Sequence, residues 1–97
     1  MSAFEYRLLT EEEIAEALGQ LPGWAVEEGE LTKTYEFANY KDGLVFALAV
    51  GHLADRLDHH PVLMIGYQRV NVSMSTHAVE GLSPWDVELA RQIESIA

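Results

Sequence analysis

Apolar and polar positions change rhythm repeatedly along this chain, and each change marks an element. Thr10 followed by Glu11, Glu12 and Glu13 has the form of a helix start: a hydroxyl cap, a carboxylate three residues on, and acids at the positive end of the helix dipole. Ile14, Ala17 and Leu18 follow at helical spacing, and Gly19 with Pro22-Gly23 closes the segment. The acidic run reads as a capped, solvated face. Trp24-Ala25-Val26 and residues 31–37 then predict a hairpin, with Glu27-Glu28-Gly29-Glu30 as its polar turn. Leu31, Lys33, Tyr35 and Phe37 share one side of the second strand; Thr32, Thr34 and Glu36 share the other.

Asn39 or Asp42 can cap the next helix, which runs to about Leu57. Its stretch 44–50 is apolar all round, which predicts burial on more than one side. In so short a chain, one side meets the sheet and the other is expected to meet a second subunit. Past Pro61, residues 62–65 form a short apolar strand, and residues 69–76 alternate. Val70, Val72 and Met74 face a core, while Asn71, Ser73 and Ser75 share the other face, with His77 if the strand continues. Ser83 as cap, Pro84 at the first position and Asp86 in the first turn open a last helix, whose apolar face extends through Ile93 and Ile96. The order α-β-β-α-β-β-α predicts an α+β fold, a four-stranded antiparallel sheet with helices packed on one face. With no repeats or linkers in 97 residues, it is expected to be one domain over 1–97.

Composition narrows the chemistry. Cysteine is absent, which removes disulfides, thiolate metal sites and cysteine nucleophiles. The formal net charge is −10, and no stretch offers the basic stripe that a phosphate backbone needs. Direct nucleic-acid binding and attraction to anionic lipid are therefore not expected. No apolar run is long enough to span a membrane, and the N-terminus lacks a basic flank with an apolar core. A cytoplasmic protein is the expectation.

The four histidines carry the candidate chemistry: His52, His59, His60 and His77. His52 lies in the apolar helix and reads as a hydrogen-bonded or interface residue. If Tyr67-Gln68 is a two-residue turn, Gly66 pairs with Arg69, and the same register carries residue 59 opposite 76 and residue 60 opposite 75. That folds His59-His60 back beside His77, where opposed side chains lie ~5 Å apart. Clustered imidazoles can donate and accept protons near neutrality. Asp55, four residues before His59, and Asp58 and Asp86 are carboxylates that could orient a ring. Three readings stay open on the residues alone: an acid/base site, a metal site, and structural histidines. Adjacent histidines diverge from a regular element, which is awkward for a metal. Ser75 and Thr76 lack the glycine-rich elbow of a hydroxyl nucleophile.

Asp55-x-x-x-His59-His60-Pro61, then Tyr67, His77 and Asp86, resembles the signature of the pterin-4a-carbinolamine dehydratases. The likeness extends to Leu21-Pro22-Gly23-Trp24, to Ser75-Thr76-His77 with Gly81, and to the element order, so it covers nearly the whole chain. It implies dehydration of 4a-hydroxytetrahydropterin, the product of aromatic amino-acid hydroxylases, to quinonoid dihydropterin, with no metal or organic cofactor. It assigns His59 and His77 to acid/base work and His60 chiefly to substrate binding. Asp58, Ser75 and Thr76 would hold the pterin, Asp55 would orient His59, and Trp24, Pro61 and Asp86 would stand near the substrate, with a core-sealing Trp24 and a dipole-satisfying Asp86 as the structural alternatives. Animal members tend to carry a tryptophan shortly after the proline, where this chain has Leu63 and Met64. The likeness also implies a homodimer or homotetramer and a phenylalanine hydroxylase as functional partner. Because animal members serve as dimerisation partners of a homeodomain transcription factor, a pterin-binding or dimerisation module without turnover is the alternative.

Overall fold

The computed structural model describes residues 5–97. Thr10 caps α1 (Glu11–Gly19) reciprocally: its hydroxyl accepts from Glu13 N–H, and the Glu13 carboxylate accepts from Thr10 N–H. Arg7 clamps the same carboxylate through two bonds of 2.9 Å and holds the Glu13 carboxyl down at about 2. The sheet runs β1 (Ala25–Glu27), β2 (Glu30–Glu36), β4 (Arg69–Met74), β3 (Val62–Gly66), with every neighbour antiparallel. Between β2 and β3 the chain makes α2 (Tyr40–Leu57), capped by Asn39, whose side chain accepts from Asp42 N–H. That long connection places β3 at an edge, and β4 returns to fill the centre.

Alternation in β4 sets the two faces. Val70, Val72 and Met74 point with Leu31 into a core shared with Val50 and Ala54 of α2 and with Leu89, Ala90 and Ile93 of α3 (Pro84–Ile96). Each such Val, Leu, Ile or Met side chain contributes roughly 1.5–3 kcal/mol by leaving water. On the opposite face polar side chains bond one another. Thr32 and Ser73 hydroxyls lie 2.8 Å apart, Ser73 donates to Asn71 Oδ1 at 2.8 Å, and Asn71 Nδ2 donates to Thr34 at 2.9 Å.

Two expectations change at the sheet's end. The predicted register holds from Gly66↔Arg69 to Val62↔Ser73, but pairing stops there. Pro61 has no N–H for the ladder, and the three residues before it are taken up in the closure that follows α2. β4 likewise ends at Met74, and Thr76 closes a short turn on Gly81 through bonds of 2.7 and 3.4 Å. His77 therefore opens a single 3₁₀ turn, His77–Val79, instead of extending the strand face. The stretch 44–50 is buried on its sheet side, but Val45 and Leu48 remain 60% and 77% exposed within this chain.

Candidate active site at the end of the second helix

α2 ends in a left-handed residue, Asp58 at φ 52°. Its amide returns to the carbonyl of Asp55 (3.2 Å), and the amide of His59 returns to that of Ala54 (3.0 Å). This paired closure usually employs glycine, and Asp is among the few other residues that enter the conformation. The reversal turns His59 inward, where it is only 8% exposed.

His59 Nε2 there lies 2.6 Å from Asp86 Oδ1. Asp86 is fully enclosed, and its second oxygen accepts from Ser83 N–H at 2.9 Å and from the Thr76 hydroxyl at 2.7 Å. The Ser83 and Thr76 hydroxyls are 2.6 Å apart. Three segments distant in sequence thus converge on one carboxylate: the end of α2, the turn after β4, and the first turn of α3. The sequence singles out Thr76 and Asp86 for the site but marks Ser83 only as a cap. The enclosed Asp86 carboxylate stands behind His59, in place to orient its ring.

His59 and Thr76 meet on Asp86, and their chain neighbours His60 and His77 are both exposed. Asp55 does not orient His59; its Oδ1 lies 2.9 Å from His60 Nε2. The helix closure explains the difference, since it swings His59 off the face of α2 and leaves His60 beside Asp55. Pro61 and Ser75 are half-buried and Asp58 is exposed around this cluster. Tyr67 sits at the far, turn end of the β3–β4 hairpin. A groove of about 400 Å³ runs past His60 and Asp55 between α2 and β3, with Leu48, His52, Pro61 and Leu63 in its walls. Its volume falls within the range of small-molecule sites. Among the described residues, no three His, Asp or Glu side chains are grouped to hold a metal ion.

Trp24 belongs to a different cluster. Its indole N–H donates to Glu94 at 3.1 Å, and the same carboxylate oxygen receives Lys33 at 2.7 Å and the Tyr35 hydroxyl. Glu94 is eight residues beyond Asp86, about 12 Å along the helix axis. Burial pushes the Glu94 carboxyl up, but the bonds from Lys33, Tyr35 and Trp24 outweigh it and the net shift is downward. Burial, with Glu94 second, raises the Tyr35 phenol. The sequence gives no sign of this cluster, because a single glutamate on a helix has no partner legible from spacing.

Residues 7–96 match the family described as pterin 4 alpha carbinolamine dehydratase. A protein of Sulfolobus acidocaldarius is 40% identical over 91% of this chain and 97% of its own length. One from Chloroflexus aurantiacus is 40% identical over 91% and 95%. Both carry provisional pterin-4-alpha-carbinolamine dehydratase names. A crystal structure from Brucella melitensis, described as a transcriptional coactivator/pterin dehydratase, superposes with a TM-score of 0.89 at 33% identity, covering 94% of this chain and 99% of that one. A pterin dehydratase-like RuBisCO assembly factor shares the fold at a TM-score of 0.63 and 20% identity, over 76% and 86% of the two chains.

Proposed function

The chain belongs to the pterin 4 alpha carbinolamine dehydratase family, and from that premise we propose that it dehydrates 4a-hydroxytetrahydropterin to quinonoid dihydropterin through its three clustered histidines. The observation that carries this reading is the contrast among the rings. His59 is held against an enclosed carboxylate, while His60, its chain neighbour, and His77, the chain neighbour of Thr76, are both exposed. Loss of the 4a-hydroxyl as water needs a proton delivered to that oxygen as the C–O bond breaks. A ring nitrogen must release its own proton as the new C=N bond forms. Two imidazoles on opposite sides of the carbon supply both transfers, each worth ~10²–10⁴-fold. His59 and His77 take these roles, and His60, braced by Asp55, faces the groove as a binding residue. Asp58 and Ser75 serve as further pterin contacts on this reading, and the reaction as written consumes no redox equivalent. A phenylalanine hydroxylase is the source of substrate on this reading.

The test follows the decay of 4a-hydroxytetrahydropterin generated by a phenylalanine hydroxylase, with and without the protein, in EDTA. Acceleration should survive chelation and fall by roughly 10²–10⁴-fold in His59→Ala and in His77→Ala. Folded wild-type protein that leaves the decay unchanged would return the chain to the module reading. Self-association forms part of the proposal, through the bare apolar side of α2 at Leu44, Val45 and Leu48.

A further inference from the structure

The pocket behind His59 contains a hydroxyl that its capping role does not account for. Ser83 Oγ caps α3 by accepting from Trp85 N–H at 3.2 Å, yet it also lies 2.6 Å from Thr76 Oγ1. Following the protons gives every bond in the pocket a direction. Asp86 Oδ2 accepts from Ser83 N–H and from the Thr76 hydroxyl. A hydroxyl has one proton to give. Thr76, having given its own to Asp86, therefore accepts from Ser83. Donation runs from Ser83 to Thr76 to Asp86 and converges on an oxygen that acts purely as an acceptor, as an ionised carboxylate does. The other oxygen of that carboxylate faces His59 Nε2 at 2.6 Å, and with the carboxylate ionised the proton between them belongs to the ring. Ser83 and Asp86 are fully enclosed and Thr76 is 3% exposed, which leaves little room for water to replace a missing donor.

We propose that Ser83 and Thr76 are positioning residues, whose donor relay onto Asp86 holds His59 with its proton on Nε2 and so makes Nδ1 the nitrogen that exchanges a proton with substrate. The substrate half of this statement rests on the dehydratase reading; the tautomer half does not. A ring in the other tautomer presents an N–H where the reaction needs a lone pair, and second-layer hydrogen bonds commonly decide which form a histidine takes.

The experiment joins a spectroscopic readout to a kinetic one. Nitrogen–proton correlation spectra of the histidine rings, recorded where His59 is neutral, should show the Nε2–H form in the wild type. Thr76→Val keeps nearly the same shape but removes the donor, and should leave His59 in mixed tautomers; Thr76→Ser should restore the wild-type signature. In the pterin decay assay Thr76→Val should lose about 10–100-fold in rate, with recovery in Thr76→Ser. Should Thr76→Val not fold, Asp86→Asn replaces it, since an amide that donates to Nε2 should drive the ring to the Nδ1–H form. A wild-type ring protonated on Nδ1 overturns the relay, as does a substituted protein with unchanged tautomer and rate. A wild type with the Nε2–H signature but no turnover removes the dehydratase reading and leaves the relay standing.

Discussion

Tyr35 is half-buried with its phenol against Glu94, and both circumstances hold the proton on the phenol. Its folded pKa therefore lies above the ordinary 10.0, which the unfolded chain retains. A raised value contributes stability that is fully present below pH 10.0 and is lost as pH rises toward the folded value. Tyr35→Phe should flatten that alkaline decline, read as denaturant midpoints above pH 10.0. Glu94 acts at the other end of the scale: its lowered carboxyl contributes stability above the ordinary carboxylate range that disappears as pH falls. At this scale the sequence was informative about which residues matter and less about what they touch. His59, Thr76 and Asp86 were all singled out and do converge. Asp55 pairs with His60 instead of His59, because the left-handed closure at Asp58 takes His59 off the helix face.

The elements themselves were largely legible. Caps at Thr10, Asn39 and Ser83 act on backbone only a few residues away, so local chemistry was enough to place three helix starts. The two-residue turn at Tyr67-Gln68 fixed the β3–β4 register, since hairpin geometry allows little freedom once the turn is set. The strand ends were harder to read, because alternation through residue 76 gives no warning of the turn that lifts His77 off the sheet. The closure of α2 offers a test of its own. Asp58 occupies a left-handed conformation that glycine enters without strain. Asp58→Gly should thus hold or raise stability, by up to about 1 kcal/mol in chemical denaturation. Its Michaelis constant should rise if the exposed carboxylate meets the pterin.

For the whole molecule, the unsettled surface is the outer side of α2. The sequence reading anticipated burial on both sides of that helix, and a single chain supplies only one. Leu48→Glu should shift the protein toward monomer in sedimentation velocity while changing monomer stability by less than ~0.5 kcal/mol, as for other exposed positions. Because Leu48 also walls the groove beside His60, a rise in Michaelis constant would accompany dissociation if a second copy completes that wall. Asp86 links these scales, since one carboxylate serves both as the reciprocal cap of α3 and as the anchor of His59. Fraying the first turn of that helix therefore releases the imidazole in the same event. Local opening of the backbone and loss of alignment in the site become a single equilibrium, observable as amide exchange at Ser83. On the dehydratase reading, loosening of this one helix turn should therefore cost turnover in the same step, so amide exchange at Ser83 and loss of rate should rise together across a denaturant series.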